Sequence, residues 1–228
     1  MKLSIIIPVF NEKQTILEIL NKIELVDLSV FPCDKEIIIV DDFSTDGTRD
    51  ILKPLENKYK IIYHEKNMGK GSAIRTGLKE VTGGIVIIQD ADMEYDPNDY
   101  AKLIKPIIEG TAKVVYGSRY LVSNKMSSLS FYLGGRYLSI LTNLLYGTNI
   151  TDEPTCYKVF RTDVIKNIPL VCTRFEFCPE VTAKVAKQGI AIQEIPISYH
   201  PRQKSEGKKI NWRDGITASW VLIKNKFI

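Results

Sequence analysis

The chain has 228 residues, of which 44% are apolar and 25% are charged, and its net charge is +4. These values are average for a soluble globular chain, and they exclude wholesale disorder, collagen-like repeats and a coiled coil. A chain of this length fits one ordinary domain, with or without a small appendage, whose core needs no disulfide bond or metal ion to stabilise it.

The positive charge is concentrated at the end of the chain. From His200 onward, seven Lys and Arg residues stand against two acids, so this segment carries +5 while the first 199 residues sum to −1. A basic segment of this kind often meets phosphate, a membrane surface or nucleic acid, but a solvated surface stretch fits the charge equally well.

Cysteine and histidine usage gives no metal-binding pattern. The four cysteines include no C-x-x-C pair and the two histidines lie far apart, so zinc-ligand spacing is absent. Without a signal peptide or a run of about 18 apolar residues, we expect a protein of a reducing, cytosolic environment that does not span a membrane.

The first half of the chain alternates apolar runs with segments of helical periodicity. Strands are predicted at 3–9, 35–42, 60–65, 84–90 and 112–119. Helices are predicted at 12–25, 46–59, 70–81 and 98–109, and Pro54 and Pro106 should end or interrupt two of them. This alternation is typical of an α/β fold, a parallel sheet with helices on both faces.

The second half is less regular. It predicts a helix at 128–147, a strand at 155–160, a helix at 175–188 and a strand at 190–199, then a loop to Lys209 and an amphipathic helix at 212–227. The helix at 128–147 pairs an apolar stripe with tyrosines, which suits a lipid–water interface, although a core helix explains the pattern nearly as well.

Polar residues follow several of the predicted strands, where parallel sheets bind their ligands. Asp90, Asp92 and Glu94 come directly after a buried strand. In an extended segment they share one face, and such crowded carboxylates suit a hard divalent cation. Capping of the next helix by these acids is the plainer alternative.

Two further segments are candidates for contacts with a nucleotide. Asp41 and Asp42 end the second strand, where a carboxylate can accept hydrogen bonds from a base or a ribose, although a helix cap follows directly. Gly69 and Gly71 flank Lys70 and indicate a backbone that approaches phosphate closely, although a plain glycine-rich turn is equally compatible. The spacing fits neither a P-loop nor a dinucleotide fingerprint.

Taken in order, these segments resemble the family 2 glycosyltransferases. The chain is similar in particular to the dolichol-phosphate mannose synthase and polyprenyl-phosphate glycosyltransferase branch, over nearly its whole length. The segments that carry the resemblance are IIIPVFNE (5–12), IIIVDDFSTDGT (37–48), NMGKGSAIRTGL (67–78), DADMEYDP (90–97), VVYGSRY (114–120), DEPTCYKVF (152–160), FEFCPE (175–180) and EIPISYHPRQKSEGKK (194–209).

The resemblance implies a GT-A fold, a nucleotide-diphosphate sugar donor (GDP or UDP), a Mg²⁺ or Mn²⁺ ion, and transfer of a hexose, mannose or glucose, to a polyprenyl or dolichyl phosphate with inversion. Its implied donor-binding residues are Pro8, Phe10, Glu12 and Asp42 around the nucleoside, together with Lys70, Asp90, Ala91, Lys208 and Lys209, the last two on a closing loop. Its implied metal ligands are Asp90, Asp92 and Glu94. Asp92, Arg119 and Arg202 are the implied catalytic residues, with both arginines on phosphate.

Three positions depart from the family pattern. Phe10 replaces a usual Tyr, which keeps stacking on a base but loses a hydroxyl, and Phe43 replaces a usual Gly after the two aspartates. Tyr157 stands where Gly is frequent, so we expect the acceptor-side wall to be shaped differently. Unlike many relatives, the sequence shows no transmembrane helices after the transferase segment. We therefore expect a peripheral enzyme at the cytosolic membrane face, with no nucleic-acid partner.

We expect a single GT-A domain, in which residues 1–120 bind the nucleotide sugar and 121–228 serve the acceptor. The main alternative is an enzyme of the same fold with a saccharide or protein hydroxyl acceptor. That reaction needs a general base, which would be Glu180 or Asp152. A sugar nucleotidyltransferase is a further alternative, but its glycine-rich, arginine-containing loop should follow the first strand, where this chain has PVFNE (8–12). A non-catalytic sugar-nucleotide-binding module is another, but the D-x-D segment (Asp90-Ala91-Asp92) and the basic segment from His200 onward argue against it.

Overall fold

The computed structural model describes residues 1–125, 128–202 and 212–227. Its seven strands are β1 (Lys2–Val9), β2 (Asp34–Asp41), β3 (Lys60–Tyr63), β4 (Ile85–Ile88), β5 (Val114–Ser118), β6 (Lys158–Arg161) and β7 (Ile192–Pro196). They form one sheet in the order β3-β2-β1-β4-β6-β5-β7, in which only β6 runs antiparallel to its neighbours.

Eight helices connect and cover these strands within the described residues. They are α1 (Ile16–Leu25), α2 (Thr48–Leu52), α3 (Lys70–Glu80), α4 (Tyr100–Ile108), α5 (Leu129–Tyr146), α6 (Thr162–Lys166), α7 (Phe177–Lys187) and α8 (Trp212–Phe227). The consecutive residues Ile5, Ile6 and Ile7 of β1 are all fully buried. Because successive side chains of a strand point to opposite faces, both faces of the sheet are covered there.

The predicted α/β architecture is confirmed, with local corrections. At Pro54 the helix α2 gives way to a 3₁₀ turn, as a proline inside a helix predicts. Pro106 instead lies inside α4, whose last turn continues past it. The short helix α6 was not predicted.

The antiparallel strand β6 decides what reaches the carboxyl edge of the sheet. Because β6 runs the opposite way, the residues before it, from Asp152 to Tyr157, arrive at the edge where β1, β2, β4 and β5 end. Thr155 donates through its hydroxyl to the carbonyl of Gly117 at the end of β5 (2.6 Å). Residues 152–156 therefore lie along this edge of the sheet, and the strand that was predicted at 155–160 begins only at Lys158.

The helices α5 and α8 pack side by side and both leave an apolar stripe uncovered. On α5 the exposed residues are Leu129, Leu133, Tyr137, Ile140 and Leu144, and on α8 they are Trp212, Ile216, Trp220 and Phe227, each more than half exposed. The inner faces of the two helices meet α7 in a small cluster of Leu138, Ala183, Ala218 and Leu222. Among the described residues, no helix is both long and apolar enough to cross a bilayer.

Candidate active site

A cavity of about 410 Å³ opens at the carboxyl edge of the sheet. Four of the predicted nucleoside-binding residues line it: Pro8, Phe10, Glu12 and Asp42. The residues predicted to meet the sugar diphosphate and the metal also line it: Lys70, Asp90, Ala91, Asp92 and Glu94. Arg202, which was predicted to bind phosphate as a catalytic residue, lines the same cavity. Residues scattered over almost 200 positions of the sequence therefore share one cavity, because β1, β2 and β4 end at the same edge.

Asp90, the first acid of the D-x-D segment (90–92), pairs with Lys70 of the glycine-rich segment (69–71). The Nζ of Lys70, the first residue of α3, contacts Asp90 Oδ1 and lies 3.7 Å from the Sγ of Cys156. Burial works to lower the pKa of Lys70, but the neighbouring Asp90 carboxylate raises it above its usual value. Burial likewise works to raise the pKa of Asp90, and the Lys70 ammonium outweighs it, so this pKa is lowered. Both groups are therefore charged at neutral pH.

Arg202 spans the cavity between two strand ends. Its Nη2 lies 2.7 Å from Glu12 Oε2 after β1, and its Nε lies 3.5 Å from Asp92 Oδ2 after β4. Its backbone N–H donates to Glu94 Oε1 (2.7 Å), and the N–H of His200 donates to the Glu94 carbonyl (2.8 Å). The chain after β7 is thus bound to the D-x-D segment by side chains and backbone together.

The carboxylates of Asp90 and Asp92 fit the divalent ion that the sequence predicts. Their side chains are 21% and 17% exposed, both lining the cavity, and their oxygens are the hard ligands that Mg²⁺ and Mn²⁺ prefer. Within the described residues, no three acidic, His or Cys side chains converge as a ready-made metal cluster. Two carboxylates are enough for Mg²⁺, which takes its remaining ligands from water and substrate phosphates.

Glu94 does not join Asp90 and Asp92 in this arrangement. The segment is not extended as predicted: Asp92 Oδ1 accepts from the backbone N–H of Glu94 (3.0 Å), which turns the chain. The Glu94 carboxylate accepts from the backbone of Arg202. In this structure Glu94 therefore anchors the segment after β7, and its role as a third metal ligand stays a prediction.

The Asp42 carboxylate is held by hydrogen bonds from other residues of the chain. Its Oδ1 accepts from the backbone N–H of Met68 (2.8 Å) and lies 2.7 Å from Nδ1 of His64, and its Oδ2 accepts from the N–H of Gly69 (2.6 Å). The carboxylate that was predicted to meet a base or a ribose thus also shapes the loop before α3. No local sequence pattern connects His64 to Asp42, and only the fold brings the two side chains together.

The two glycines around Lys70 are required by neighbouring backbone. Gly69 has φ +90°, and a Cβ placed on it would lie 2.4 Å from the carbonyl oxygen of Thr173. The N–H groups of Gly71 and Ser72, in the first turn of α3, donate to the carbonyls of Arg174 and Thr173 (both 3.0 Å). The close approach that the sequence indicates is therefore made to residues 172–174, and these two amides are not free for phosphate.

Arg119 does not line the cavity. Its Nε and Nη2 donate to the two carboxylate oxygens of Asp152 (both 2.7 Å), and its guanidinium lies 5.0 Å from the centre of the Tyr199 ring. Burial works to lower the pKa of Arg119, but Asp152 raises it well above its usual value. One of the two edges with which this guanidinium could bind phosphate at two points, the Nε–Nη2 edge, is occupied by the fully buried Asp152 carboxylate.

Glu180 is a structural acid in this fold. Its carboxylate accepts from the backbone N–H groups of Val171 and Cys172 (3.0 and 2.8 Å) and pairs with Lys184 at 2.5 Å. Burial works to raise its pKa, but the bonds from Lys184 and Cys172 outweigh it and lower the pKa. Glu180 does not line the cavity; it shapes the loop that brings Arg174 and Phe175 to the cavity wall.

Arg174 and Phe175 were not predicted as site residues. They reach the cavity because their loop packs on Gly69 and Gly71, a contact with no local sequence signature. The predicted closing-loop residues Lys208 and Lys209 lie outside the described residues.

The departures from the family pattern have distinct outcomes. Phe10 lines the cavity, as predicted for a residue that stacks on a base. Phe43 has φ +67°, the left-handed region that favours glycine, and its ring lies 5.1 Å from the Arg49 guanidinium. Tyr157 is fully buried and donates to Gln89 Oε1 (2.7 Å). Tyr157 is thus part of the core beneath the cavity and not of its wall.

Comparison with protein families gives a match to the model described as Glycosyl transferase family 2, over residues 4–168. The chain is 34% identical over 244 residues to a UDP-N-acetylglucosamine--dolichyl-phosphate N-acetylglucosaminyltransferase of Methanococcus voltae, covering 97% of this chain and 95% of the relative. It is 30% identical over 217 residues to a dolichol-phosphate mannosyltransferase of Pyrococcus furiosus, covering 91% of this chain but only 59% of the relative.

Solved structures agree in fold. The mannosyl-3-phosphoglycerate synthase of Rubrobacter xylanophilus superposes with a TM-score of 0.76 at 19% identity, over 99% of this chain and 72% of that chain. The glucosyl-3-phosphoglycerate synthase of Mycobacterium tuberculosis, solved with Mn²⁺ and UDP-glucose, gives 0.74 at 16% identity, over 100% and 79%. At these identities the likeness shows the fold alone, and the predicted GT-A fold is confirmed.

Proposed function

The chain belongs to glycosyl transferase family 2, and from this premise we propose that it transfers a sugar from a nucleotide-diphosphate donor to the phosphate of a polyprenyl or dolichyl phosphate, with inversion. Both relatives described above carry names that contain a dolichol or dolichyl phosphate. Residues 1–120 would bind the nucleotide sugar and residues 121–228 would serve the acceptor.

The observation that carries this proposal is the state of Asp152 and Glu180, the two acids named in the sequence analysis for the general base of a hydroxyl acceptor. Asp152 is fully buried against Arg119, and Glu180 is bound to two backbone amides and Lys184. A hydroxyl acceptor must lose a proton as it attacks, so it needs a base within reach. A phosphate acceptor needs no base, because its second pKa is about 6 and it is largely a dianion at neutral pH.

The proposed step is a displacement at the anomeric carbon. An oxygen of the acceptor phosphate forms a bond to this carbon, while the bond from the carbon to the donor diphosphate breaks and the diphosphate leaves with the electron pair. No proton has to move. The requirement is charge neutralisation, because two anionic groups about 4 Å apart in a poorly solvated site repel by several kcal/mol.

Positive charge for this step is already present at the cavity. Lys70 and Arg202 line it, each paired with an acid in the ligand-free chain, and the exposed Arg174 lines it as well. When phosphate groups enter, Arg202 can exchange Glu12 and Asp92 for phosphate oxygens, which its planar guanidinium can bind at two points. Arg119 would act on the acceptor side, by holding Asp152 and the segment before β6 in place.

A divalent ion belongs to the proposal as Mg²⁺ or Mn²⁺ held by Asp90 and Asp92. When bound, such an ion supplies Lewis-acid stabilisation of the charge on the leaving diphosphate. The residues of the chain do the rest: Asp42 and Phe10 would contact the nucleoside, Ala91 the donor, and Lys70 would hold Asp90.

The candidate sugars and nucleotides follow from the sequence and from the names of the relatives. A hexose such as mannose or glucose was the sequence-based expectation, and one relative is named for N-acetylglucosamine. The nucleotide would be GDP or UDP.

The exposed stripes of α5 and α8 support a peripheral position on the cytosolic face of a membrane. Two adjacent helices with exposed aliphatic and aromatic residues suit the headgroup region of a bilayer. Lys224 and Lys226 in the last turn of α8 add charge that anionic lipids attract. A lipid phosphate is presented at this depth, so such a position would bring the acceptor to the enzyme.

The test is a donor panel of GDP- and UDP-sugars incubated with Mg²⁺ and a short polyprenyl phosphate, followed by the mass of the product. The proposal expects one donor to yield a lipid-phosphate sugar and free nucleoside diphosphate. Donor consumption with no lipid product for any member of the panel would contradict it.

A further inference from the structure

His64 is buried between a cavity residue and the helix α3. Its Nδ1 lies 2.7 Å from Asp42 Oδ1, and its Nε2 lies 3.0 Å from the hydroxyl of Thr76. Its backbone N–H donates to the carbonyl of Asp41 (2.9 Å), and its carbonyl accepts from Nη2 of Arg49 (2.5 Å). The imidazole is thus held from both sides in one orientation.

These contacts determine which nitrogen carries the proton in the neutral ring. An ionised Asp42 can only accept a hydrogen bond, so Nδ1 must be the donor. Nε2 then lacks a proton and accepts from the Thr76 hydroxyl. The structure therefore assigns a chain of hydrogen bonds that runs from Thr76 through His64 to Asp42, with Nδ1 protonated.

Asp42 has little acceptor capacity left for a ligand. A carboxylate offers about four lone-pair positions. His64 and Met68 use two on Oδ1, and Gly69 uses one on Oδ2. Asp42 also lines the cavity, so the orientation of its plane decides whether the remaining position can serve a nucleoside.

We propose that His64 is a positioning residue for donor recognition: by donating from Nδ1 it holds the Asp42 carboxylate in the one orientation that leaves an acceptor position for the nucleoside of the donor. This inference rests on the proposed function, because it takes Asp42 as a nucleoside contact. Its effect is on nucleotide binding and on the donor KM, and kcat at saturating donor should change little.

The matched variants are His64→Asn and His64→Gln. The amide nitrogen of Asn takes the place of Nδ1, whereas that of Gln takes the place of Nε2. We expect His64→Asn to bind nucleoside diphosphate within about twofold of wild type and His64→Gln to bind it at least about tenfold more weakly, a difference of about 1.4 kcal/mol. Calorimetric titration with UDP and GDP measures this, and the donor KM should follow the same order.

Two further measurements do not depend on changing His64. Nitrogen-15 spectra of the imidazoles should show Nδ1 protonated in His64, and because the chain has only two histidines, His200→Gln assigns the signals. Thr76, half-buried on α3, offers a milder change. Thr76→Val should weaken nucleotide binding by about threefold and Thr76→Ser should restore it, since serine keeps the hydroxyl that faces Nε2.

The outcomes separate this inference from the proposed function. A wild-type protein that binds neither UDP nor GDP contradicts the proposed function. If wild type binds nucleotide and the Asn and Gln variants bind it equally well or equally poorly, the inference is overturned. If both variants unfold, the inference is overturned by a wild-type spectrum in which Nε2 of His64 carries a proton. It is also overturned if Thr76→Val and Thr76→Ser bind nucleotide equally well.

Discussion

Arg202 and Glu12, 190 positions apart in the sequence, form a two-point ion pair across the cavity, with Nη2–Oε2 at 2.7 Å and Nη1–Oε1 at 3.3 Å. The same guanidinium lies 3.5 Å from Asp92. An arginine of the chain thus neutralises one of the two carboxylates that fit a divalent ion. Entry of the ion at Asp92 and departure of Arg202 are therefore coupled.

This coupling predicts that Arg202→Ala binds Mn²⁺ more tightly than wild type in the absence of nucleotide. A partly exposed ion pair contributes at most about 1 kcal/mol, so we expect an affinity gain of about three- to fivefold. Turnover should fall sharply, because the guanidinium that we propose to bind phosphate is lost. Titration of free Mn²⁺ by electron paramagnetic resonance measures the affinity.

Arg161→Ala is the matched control, since it removes the same charge from an exposed pair with Asp163 at the far end of β6. Unchanged Mn²⁺ affinity in Arg202→Ala, or an equal gain in both variants, would refute the coupling. Arg202→Lys should also lose turnover, because an ammonium cannot bind phosphate at two points.

The second prediction concerns Glu180, which binds the backbone of Val171 and Cys172. In Glu180→Gln an NH₂ group must face these N–H donors or Lys184, so we expect a loss of roughly 1–3 kcal/mol of unfolding free energy. The single-turnover rate against pH should keep its shape, since Glu180 removes no proton. Loss of an acidic limb in the variant would instead identify a general base and favour a hydroxyl acceptor.

The third prediction is a pH-dependent contribution to stability from Glu36 on β2. Its carboxylate accepts from the backbone N–H groups of Thr82 and Gly83 (2.8 and 2.9 Å) and from the Ser4 hydroxyl. Burial works to raise its pKa, but these bonds and the Thr82 hydroxyl outweigh it and lower the pKa to about 2. The folded chain therefore binds this proton less well than the unfolded chain.

The contribution of Glu36 to the free energy of unfolding is complete above its pKa in the unfolded chain, about 4.5, and is lost as the pH falls from there to about 2. Its size is at most roughly 2–3 kcal/mol, because solvent screens a carboxylate that is partly exposed. Denaturant unfolding at pH 7 and pH 3 should show Glu36→Gln less stable than wild type by more at pH 7 than at pH 3. Glu109→Gln, an exposed acid at the end of α4, is the control that should show no such difference. Equal pH dependence in wild type and Glu36→Gln would disprove the assignment.

The fourth prediction tests the exposed stripes of α5 and α8. Replacing Leu133 and Trp220 by serine should weaken sedimentation with phosphatidylglycerol vesicles by at least about tenfold, since burying each side chain is worth roughly 1.5 kcal/mol or more. Binding of wild type should also fall as salt rises, because the attraction to anionic lipid is screened.

Leu25, exposed at the end of α1, provides the control for the vesicle experiment. Leu25→Ser should bind vesicles as wild type does. Vesicle binding that is unaffected by the double replacement would place the membrane contact elsewhere, and equal binding to neutral and anionic vesicles at every salt concentration would remove the electrostatic part.

Local patterning predicted the strands β1 to β5, their helices and the sheet edge that holds the cavity. It succeeded because buried strands and helical stripes leave a signal within a dozen residues. It could not predict that Gly69 is required by the carbonyl of Thr173, or that Asp152 occupies the fork of Arg119. Such contacts join residues that are 33 or more positions apart, and only the fold brings them together.

The most direct test of the account compares two acceptors that share one lipid chain, a short polyprenyl phosphate and the corresponding polyprenol. Each is incubated with the productive donor and Mg²⁺, and the product is identified by mass. The account predicts a sugar joined through phosphate from the first acceptor and no transfer to the second. Transfer to the free alcohol at a comparable rate would contradict the claim that the acceptor phosphate is the nucleophile.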